Sequence, residues 1–303
     1  MQIKRLLIVI SLTLLSLFGF PAYSKENEAE VTVQSLIDSP SKDQKIVAES
    51  VYESNDKLDI RFPGSDLANY PNSAFTLPQG GFYLEVAPTY STDDSGSYSA
   101  TYLLRYGLLD RLELRLLSSG PQEQGGNNPV LGFNPLTFDV KMHLWDEVEK
   151  YYLPAVGFEI YLQTTLLGSP AFNSGTQPTL EFNFDQSLFW DIALEYNIGA
   201  SRSQDSLNAA INTWGLTFQW ALQHDVVEDF AVFVNGWYNS EQKGTLIVPT
   251  NNQISTSEVA NVIGAGCIWT VNDKVSLFFN SGAGTNSVSP TFTSYVGFAW
   301  MPW

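Results

Sequence analysis

The sequence predicts an all-β chain that folds as a transmembrane antiparallel up-and-down β-barrel of about twelve strands, behind a short N-terminal periplasmic extension. Three features lead there: segments whose polarity alternates with a period of two, connections that alternate between tight and long, and aromatic residues gathered where segments meet connections. In SYSATYLLRYGLLDRLELRLL, residues 97–117, Tyr98, Ala100, Tyr102, Leu104, Tyr106 and Leu108 alternate with Ser97, Ser99, Thr101, Leu103, Arg105 and Gly107. After a turn at Leu109 and Asp110, Leu112, Leu114 and Leu116 alternate with Arg111, Glu113 and Arg115. Successive side chains of a strand point to opposite faces, so this is a hairpin with one apolar and one polar face.

The chain opens MQIKRLLIVISLTLLSLFGFPAYS, with Lys4 and Arg5 before an apolar run and the small residues Ala22 and Ser24 at its end. That is the layout of a signal peptide over residues 1–24, and its apolar run is too short for a comfortable membrane helix. Lys4 and Arg5 leave with it and no acid does, so the formal charge moves from −17 to −19 by loss of two positive charges. Residues 25–73 are acidic, poor in aromatics and lack a period of two, which fits a periplasmic tail or a hatch folded into the lumen.

From residue 74 to 303 the pattern is that of the barrel itself. The alternating apolar sets include Phe82, Leu84 and Val86; Phe138, Val140 and Met142; Phe158, Ile160 and Leu162; Leu180, Phe182 and Phe184. They continue with Leu194, Tyr196 and Ile198; Trp214, Leu216, Phe218 and Trp220; Val296, Phe298 and Trp300. Each segment is near the ~9–11 residues that a tilted strand needs to cross a bilayer. Residues 230–238, 259–269 and 275–281 are apolar or small on both faces, and the pattern assigns them no register.

LLD, WDEVEKY, FDQSLFW, QHDVVED and TVNDK are compact connections, whereas those between them are longer and rich in Gly, Ser, Asn and Pro. In a meander every second connection lies at the same end, so one rim carries turns and the other loops, as in outer-membrane barrels. Aromatics form two girdles at the polar boundary: Trp145, Tyr151, Phe189, Trp190, Trp220, Phe230, Trp269 and Trp300 toward the turns, and Tyr90, Tyr98, Tyr196, Trp237 and Tyr238 toward the loops.

In a soluble barrel the apolar face would point inward, and this one carries too many Trp, Tyr and Phe rings to fit at native packing density. The faces are therefore inverted: rings meet lipid, and Glu85, Arg105, Arg111, Glu113, Arg115, Asp139, Lys141, His143, Glu159, Glu181 and Glu195 line the lumen. Opposite charges on neighbouring strands are expected to pair across the wall, as a stiffening network or as a device that sets ion preference.

The acidic balance argues against nucleic acid as a partner and leaves membrane lipid, small solutes and the outer-membrane barrel assembly machinery. Charged residues are 16% of the chain, below the roughly 25% of soluble domains. Cys267 is the only cysteine, so no internal disulfide forms. No catalytic residue, metal site or cofactor is implied. Of the two histidines, His224 falls in the turn QHDVVED and His143 on the lumen face without a serine nearby on its strand. The Gly-Ala-Gly triplets at 264–266 and 282–284 lack a strand-to-helix switch, so close strand packing explains them better than phosphate binding.

Three stretches carry a family resemblance. AFTLPQGGFYLEVAPTYS, YGLLDRLELRLL and LTFDVKMHLWDE with the following YYLPAVGFEIYLQT resemble, in turn, the approach to the first strand, the Tyr-Gly-Leu turn and the Asp-Val-x-x-Lys strand of the outer-membrane family named after the meta pathway of phenol degradation. The resemblance implies a barrel in the bacterial outer membrane that passes small, aromatic or hydrophobic molecules and carries no catalytic residues. Two rival functions follow from the residues: a barrel lipid or ester hydrolase using His143, and an adhesive or structural barrel acting through loops such as 239–258.

Overall fold

The computed structural model describes residues 59–92, 96–204, 212–240, 260–287 and 289–302, all within one compact unit, Ala48–Trp303. The expected signal peptide, residues 25–58 of the acidic extension and nearly all of loop 239–258 lie outside the described residues. The strands are β1 Phe82–Ser91, β2 Ser97–Leu109, β3 Leu112–Ser118, β4 Pro121–Gln124, β5 Val130–Phe133, β6 Thr137–Trp145 and β7 Ala155–Gln163. The second half adds β8 Gln177–Ser187, β9 Ile192–Gln204, β10 Asn212–Val227, β11 Phe230–Asn239, β12 Ala260–Asn272, β13 Val275–Gly284 and β14 Thr293–Trp300.

Twelve of these form a closed antiparallel meander, sealed where β1 pairs with β14, Leu84 opposite Trp300. The short β4 and β5 instead make a hairpin on the loop end of β2, Tyr98 opposite Glu123. Closure removes the edges of the wall, so the crossing strands' backbone groups find partners without water, the condition for crossing hydrocarbon. Turns at 110–111, 228–229 and 273–274 occupy one rim, and register shifts lie beside them in β2, β10 and β12. Bulges at barrel rims re-aim the chain where pairing ends.

The alternation sorts side chains as the inverted reading requires. Leu114, Phe138, Ile160, Leu180, Phe182, Ile198, Leu216 and Phe298 are exposed on the outside, while Glu85, Arg105, Glu113, Lys141 and Glu159 are buried within. The register left open for three segments is now fixed. On β11, Ala231, Phe233 and Asn235 are buried and Val232 and Val234 exposed; on β13, Ser276, Phe278 and Asn280 are buried and Leu277 and Phe279 exposed. On β12, Val262 is buried and Ile263 and Trp269 exposed. On β13 the inner face is apolar where it packs against protein. Phe278, Tyr295 and Ala299 pack there with Ile60, Ala68 and Leu77, residues that precede the barrel in sequence.

Three placements differ from the sequence expectation. His224 sits within β10, opposite Ile192 and Val232, because that strand runs on to Val227. Tyr196 lies directly opposite Trp220, far from the loop end of β9 and thus outside the loop girdle. Trp237 falls in the alternation of buried Phe233 and Asn235, so it belongs to the inner face, where Tyr70 of the preceding segment reaches it. The Gly-Ala-Gly triplets do serve close packing, with Gly264 opposite Gly282.

Phe182 stands mid-strand on the outer face of β8, beside Phe158 at 4.9 Å between ring centroids. Phe182→Arg is expected to cost about 2–4 kcal/mol in denaturant titrations of vesicle-inserted protein, the penalty for a cation near the bilayer midplane. A cost below about 0.5 kcal/mol, usual for substitutions on a watery surface, contradicts the lipid-facing assignment.

Candidate functional site

The interior of the barrel is occupied by the segment that precedes β1. It starts at the turn rim, where Ile60 N–H donates to Asp273 O at 3.0 Å and Arg61 pairs with Asp229. It crosses inside the barrel and returns to the turn rim, where Thr76 Oγ1 donates to Asp110 O at 2.8 Å and Gly80 N–H to Gly107 O at 2.8 Å. Gly107 permits this return, since a Cβ there would collide with the Pro78 carbonyl oxygen.

A buried segment without helix or sheet must satisfy its backbone polar groups through side chains. Inward-facing residues of the wall supply them. Asn235 Nδ2 donates to Asn69 O at 3.0 Å, Tyr295 Oη to Ala68 O at 2.9 Å, and Asn197 Nδ2 to Asn72 O at 3.1 Å. Glu85 accepts from Leu67 N–H at 2.8 Å and Glu113 from Leu77 N–H at 2.7 Å. Asp185 accepts from Ser73 Oγ at 2.6 Å and Ala74 N–H at 3.0 Å, and Glu195 from Asn69 Nδ2 at 2.7 Å.

At the centre lies a charge cluster built by strand register. Arg105 stands opposite Arg115, and Arg115 opposite Asp139; in the adjoining row Glu113 faces Lys141, which faces Glu159, which faces Glu181. Like charges directly opposed in a sheet are unfavourable. Asp66, from the internal segment, offsets them: its Oδ2 is 3.0 Å from Arg115 Nη2, 3.1 Å from Lys141 Nζ and 3.4 Å from Arg105 Nη1. Glu113 also takes Arg105 Nε at 2.7 Å, Glu159 takes Arg115 Nη1 at 2.6 Å, and the Arg105 guanidinium lies 5.3 Å from the Tyr83 ring centre. Burial alone would raise the Asp66 carboxyl, but Arg105, Lys141 and Arg115 hold it well below the usual carboxylate range.

Of the eleven positions singled out in the sequence, Glu85, Arg105, Glu113, Arg115, Asp139, Lys141 and Glu159 come together around Asp66 or its neighbours. Glu181 and Glu195 lie further round the wall. Arg111 is at the turn rim, about half exposed, with Nη2 3.0 Å from Asp146. His143 is buried with Nδ1 2.9 Å from Ala74 O and Nε2 3.0 Å from Asp146, and its ring stacks on Phe75 at 4.8 Å. Both of these ring contacts are to oxygen acceptors rather than to a hydroxyl nucleophile. The His143 contact, with Arg111 adding to it, holds the Asp146 carboxyl below its ordinary range despite burial.

Sequence reasoning singled out none of Asp66, Asn69, Asn72 and Ser73, which sat in a stretch read as a periplasmic tail or a lumen hatch. It also passed over Asn183, Asn197, Asn235 and Asn280, all buried on the inner face. A signal was present: asparagine is depleted in strands, so four on the inward alternation mark a wall that binds backbone. Two cavities flank the internal segment. One, about 450 Å³ on the loop side, is bordered by Asp66, Tyr70, Leu103, Tyr161, Gln177 and Glu181. The other, about 180 Å³ at the turn rim, is bordered by Arg61, Ser65, Glu195, Asp225 and Ile268.

A closed meander of twelve crossing strands, apolar outside and charged within, is the architecture of an outer-membrane β-barrel. Residues 65–301 match the family described as "Putative MetA-pathway of phenol degradation", and the chain belongs to that family. Among solved structures it is similar to the COG4313 outer membrane channel from Pseudomonas putida F1, with 16% identity, TM-score 0.56, and coverage of 76% of this chain and 98% of that one. It is also similar to the NanC porin, with 10% identity, TM-score 0.52, and coverage of 73% and 100%. No curated protein sequence matches the chain. The protein is thus a bacterial outer-membrane barrel, as its patterning anticipated.

Asp66→Asn is expected to weaken docking of the segment by about 3–5 kcal/mol, the usual cost of leaving buried charges unpaired. Limited proteolysis within residues 59–80 of the refolded protein reads this as faster cleavage. Because the Asp66 pKa is lowered on folding, its contribution is fully present above the unfolded value of about 3.9 and is lost only as pH falls through the folded value. The Asp66 share of protection, read as the difference between wild type and Asp66→Asn, is therefore expected to stay level from neutral pH to about 4, and a difference that vanishes already near pH 6 contradicts the assignment.

Proposed function

We propose that the protein is a passive conduit for small molecules across the outer membrane, with the segment before β1 as its hatch and no catalytic role. The observation that carries this reading is the segment inside the closed wall, held largely by polar contacts, with a cavity on either side. Polar contacts can be exchanged for water, so such a segment can be displaced without unfolding the barrel, at a cost set mainly by the charge cluster around Asp66. Glu85, Arg105, Glu113, Arg115, Asp139, Lys141 and Glu159 then form the catch, while Glu181 and Glu195 line the path and Arg111 and His143 brace the turn rim. Small aromatic solutes, as the family resemblance implies, suit a path that combines Tyr70 and Tyr161 with polar groups. The barrel architecture supports assembly by the outer-membrane insertion machinery as a further part of this reading.

Planar-bilayer recording tests the conduit. Deleting residues 25–73 is expected to raise single-channel conductance several-fold over the wild type, and Gly107→Val, which puts a side chain where Pro78 must lie, to raise the open fraction in the full chain. Unchanged conductance in both would sink the hatch, and a deletion variant that inserts but never conducts would sink the conduit. Turnover of phospholipids or esters that disappears in His143→Ala would favour the hydrolase instead.

A further inference from the structure

The inner carboxylates fall into three groups by what satisfies them. Glu85, Glu113, Asp139 and Glu159 each lie within ion-pair distance of Arg105 or Arg115, and Asp66 is shared among three cations. Asp185 and Glu195 have no cation among the described ion pairs, but the hatch segment meets each with donors, Ser73 and Ala74 for one and Asn69 for the other. Glu181 has neither. It is 3% exposed, its Oε1 has no hydrogen-bond partner among the described residues, and it borders the loop-side cavity.

Its surroundings deepen the vacancy of charge. Across the β7–β8 pair Glu181 faces Glu159, which is already engaged by Arg115, Lys141, Asn183 and Asn72. Arg115 is the inward cation on this cavity, and it is committed to Asp66, Glu113, Asp139 and Glu159. Arg202 also borders the cavity, but it stands on the outward alternation of β9 with Ile198. A second acceptor points the same way: Gln177, 9% exposed and two turns of the strand alternation from Glu181, leaves its Oε1 unpartnered. Leu67, Tyr70, Leu103 and Leu117 supply apolar surface to the same cavity. At about 450 Å³ it falls within the usual range of ~300–1,000 Å³ for small-molecule sites.

We propose that this cavity is a binding site for a small organic cation, a protonated amine on an apolar or aromatic body, whose ammonium group is received by Glu181 and Gln177. An ammonium group offers only donors, and the unsatisfied groups here are acceptors, so each supplies what the other lacks. The apolar body lies against Leu103, Leu117 and the Tyr70 ring, and a carboxylate-bearing analogue is repelled by Glu181 and Glu159 together. This deepens the conduit reading by naming the class of solute, although binding itself requires no conduction.

The test uses the full mature chain refolded in detergent and titrated calorimetrically with three probes of one shape: benzylammonium, benzyl alcohol and benzoate. Saturable one-to-one binding of benzylammonium is expected, with benzyl alcohol weaker and benzoate absent. Glu181→Gln is expected to weaken benzylammonium about tenfold and leave benzyl alcohol unchanged, whereas Glu181→Asp retains part of the affinity. Gln177→Leu is expected to weaken benzylammonium several-fold, and it carries the test should the Glu181 variants fail to fold. Equal affinity for benzoate, unchanged binding in the variants, or no saturable heat, the sign of water alone in the cavity, would each overturn the site. Bilayer recording separates the two readings: a chain that binds benzylammonium without conducting loses the conduit and keeps the site, and one that conducts without binding it loses the site alone.

Discussion

Strand pairing sets Arg105 directly opposite Arg115 inside a closed wall, and much of the interior follows from how that repulsion is relieved. Neighbouring acids on β1, β3, β6 and β7 relieve part of it. The remainder is met from outside the barrel strands by Asp66, whose one oxygen lies within 3.4 Å of both guanidinium groups and within 3.1 Å of Lys141. Buried ion pairs contribute little net stability against an apolar alternative, but removing one partner is costly. The arrangement therefore fixes where the segment sits more than how stable the barrel is.

The interior is divided accordingly. Charges cluster on β1, β2, β3, β6 and β7, while β11 to β14 offer Phe233, Phe278, Tyr295 and Ala299 together with Asn235 and Asn280. The segment across it matches both halves: Asp66, Asn72 and Ser73 toward the charged wall, Ile60, Ala68 and Leu77 toward the apolar one. Asparagine amides and the Tyr295 hydroxyl take up its carbonyls, which lets irregular backbone lie inside a membrane protein, permitted only where protein or water satisfies it. Similarity to an outer membrane channel and a porin establishes the architecture shared with them; the contacts of Asp66 and Glu181 are read from this chain's own side chains.

How much was legible in the sequence depended on where the physical cause lay. The inverted barrel was readable because lipid imposes a strict rule on every second residue: Leu114, Ile160 and Phe182 alternate with Glu113, Glu159 and Asn183 whatever else the chain does. The turn and loop rims were readable from connection length. Residues 275–281 were not, because Phe278 on their inner face packs in one cluster with Ile60 and Ala68, a reason located elsewhere in the chain. His224 was misplaced because β10 outruns the usual span of a crossing strand, and Trp237 because an aromatic ring near a rim fits a girdle as well as a lumen.

By itself the sequence determined the class of fold, the side of the wall that meets lipid and the identity of most inward charges, since a two-residue period acts locally and leaves its mark on every strand. Only the tertiary structure decided which of those charges are neutralised and by what. Asp66 lies about forty residues from Arg105, about fifty from Arg115 and seventy-five from Lys141, in a stretch with no periodicity to announce it. Long-range electrostatic complementarity depends on where closure of the sheet brings strands together in space, and that is a property of the barrel as a whole.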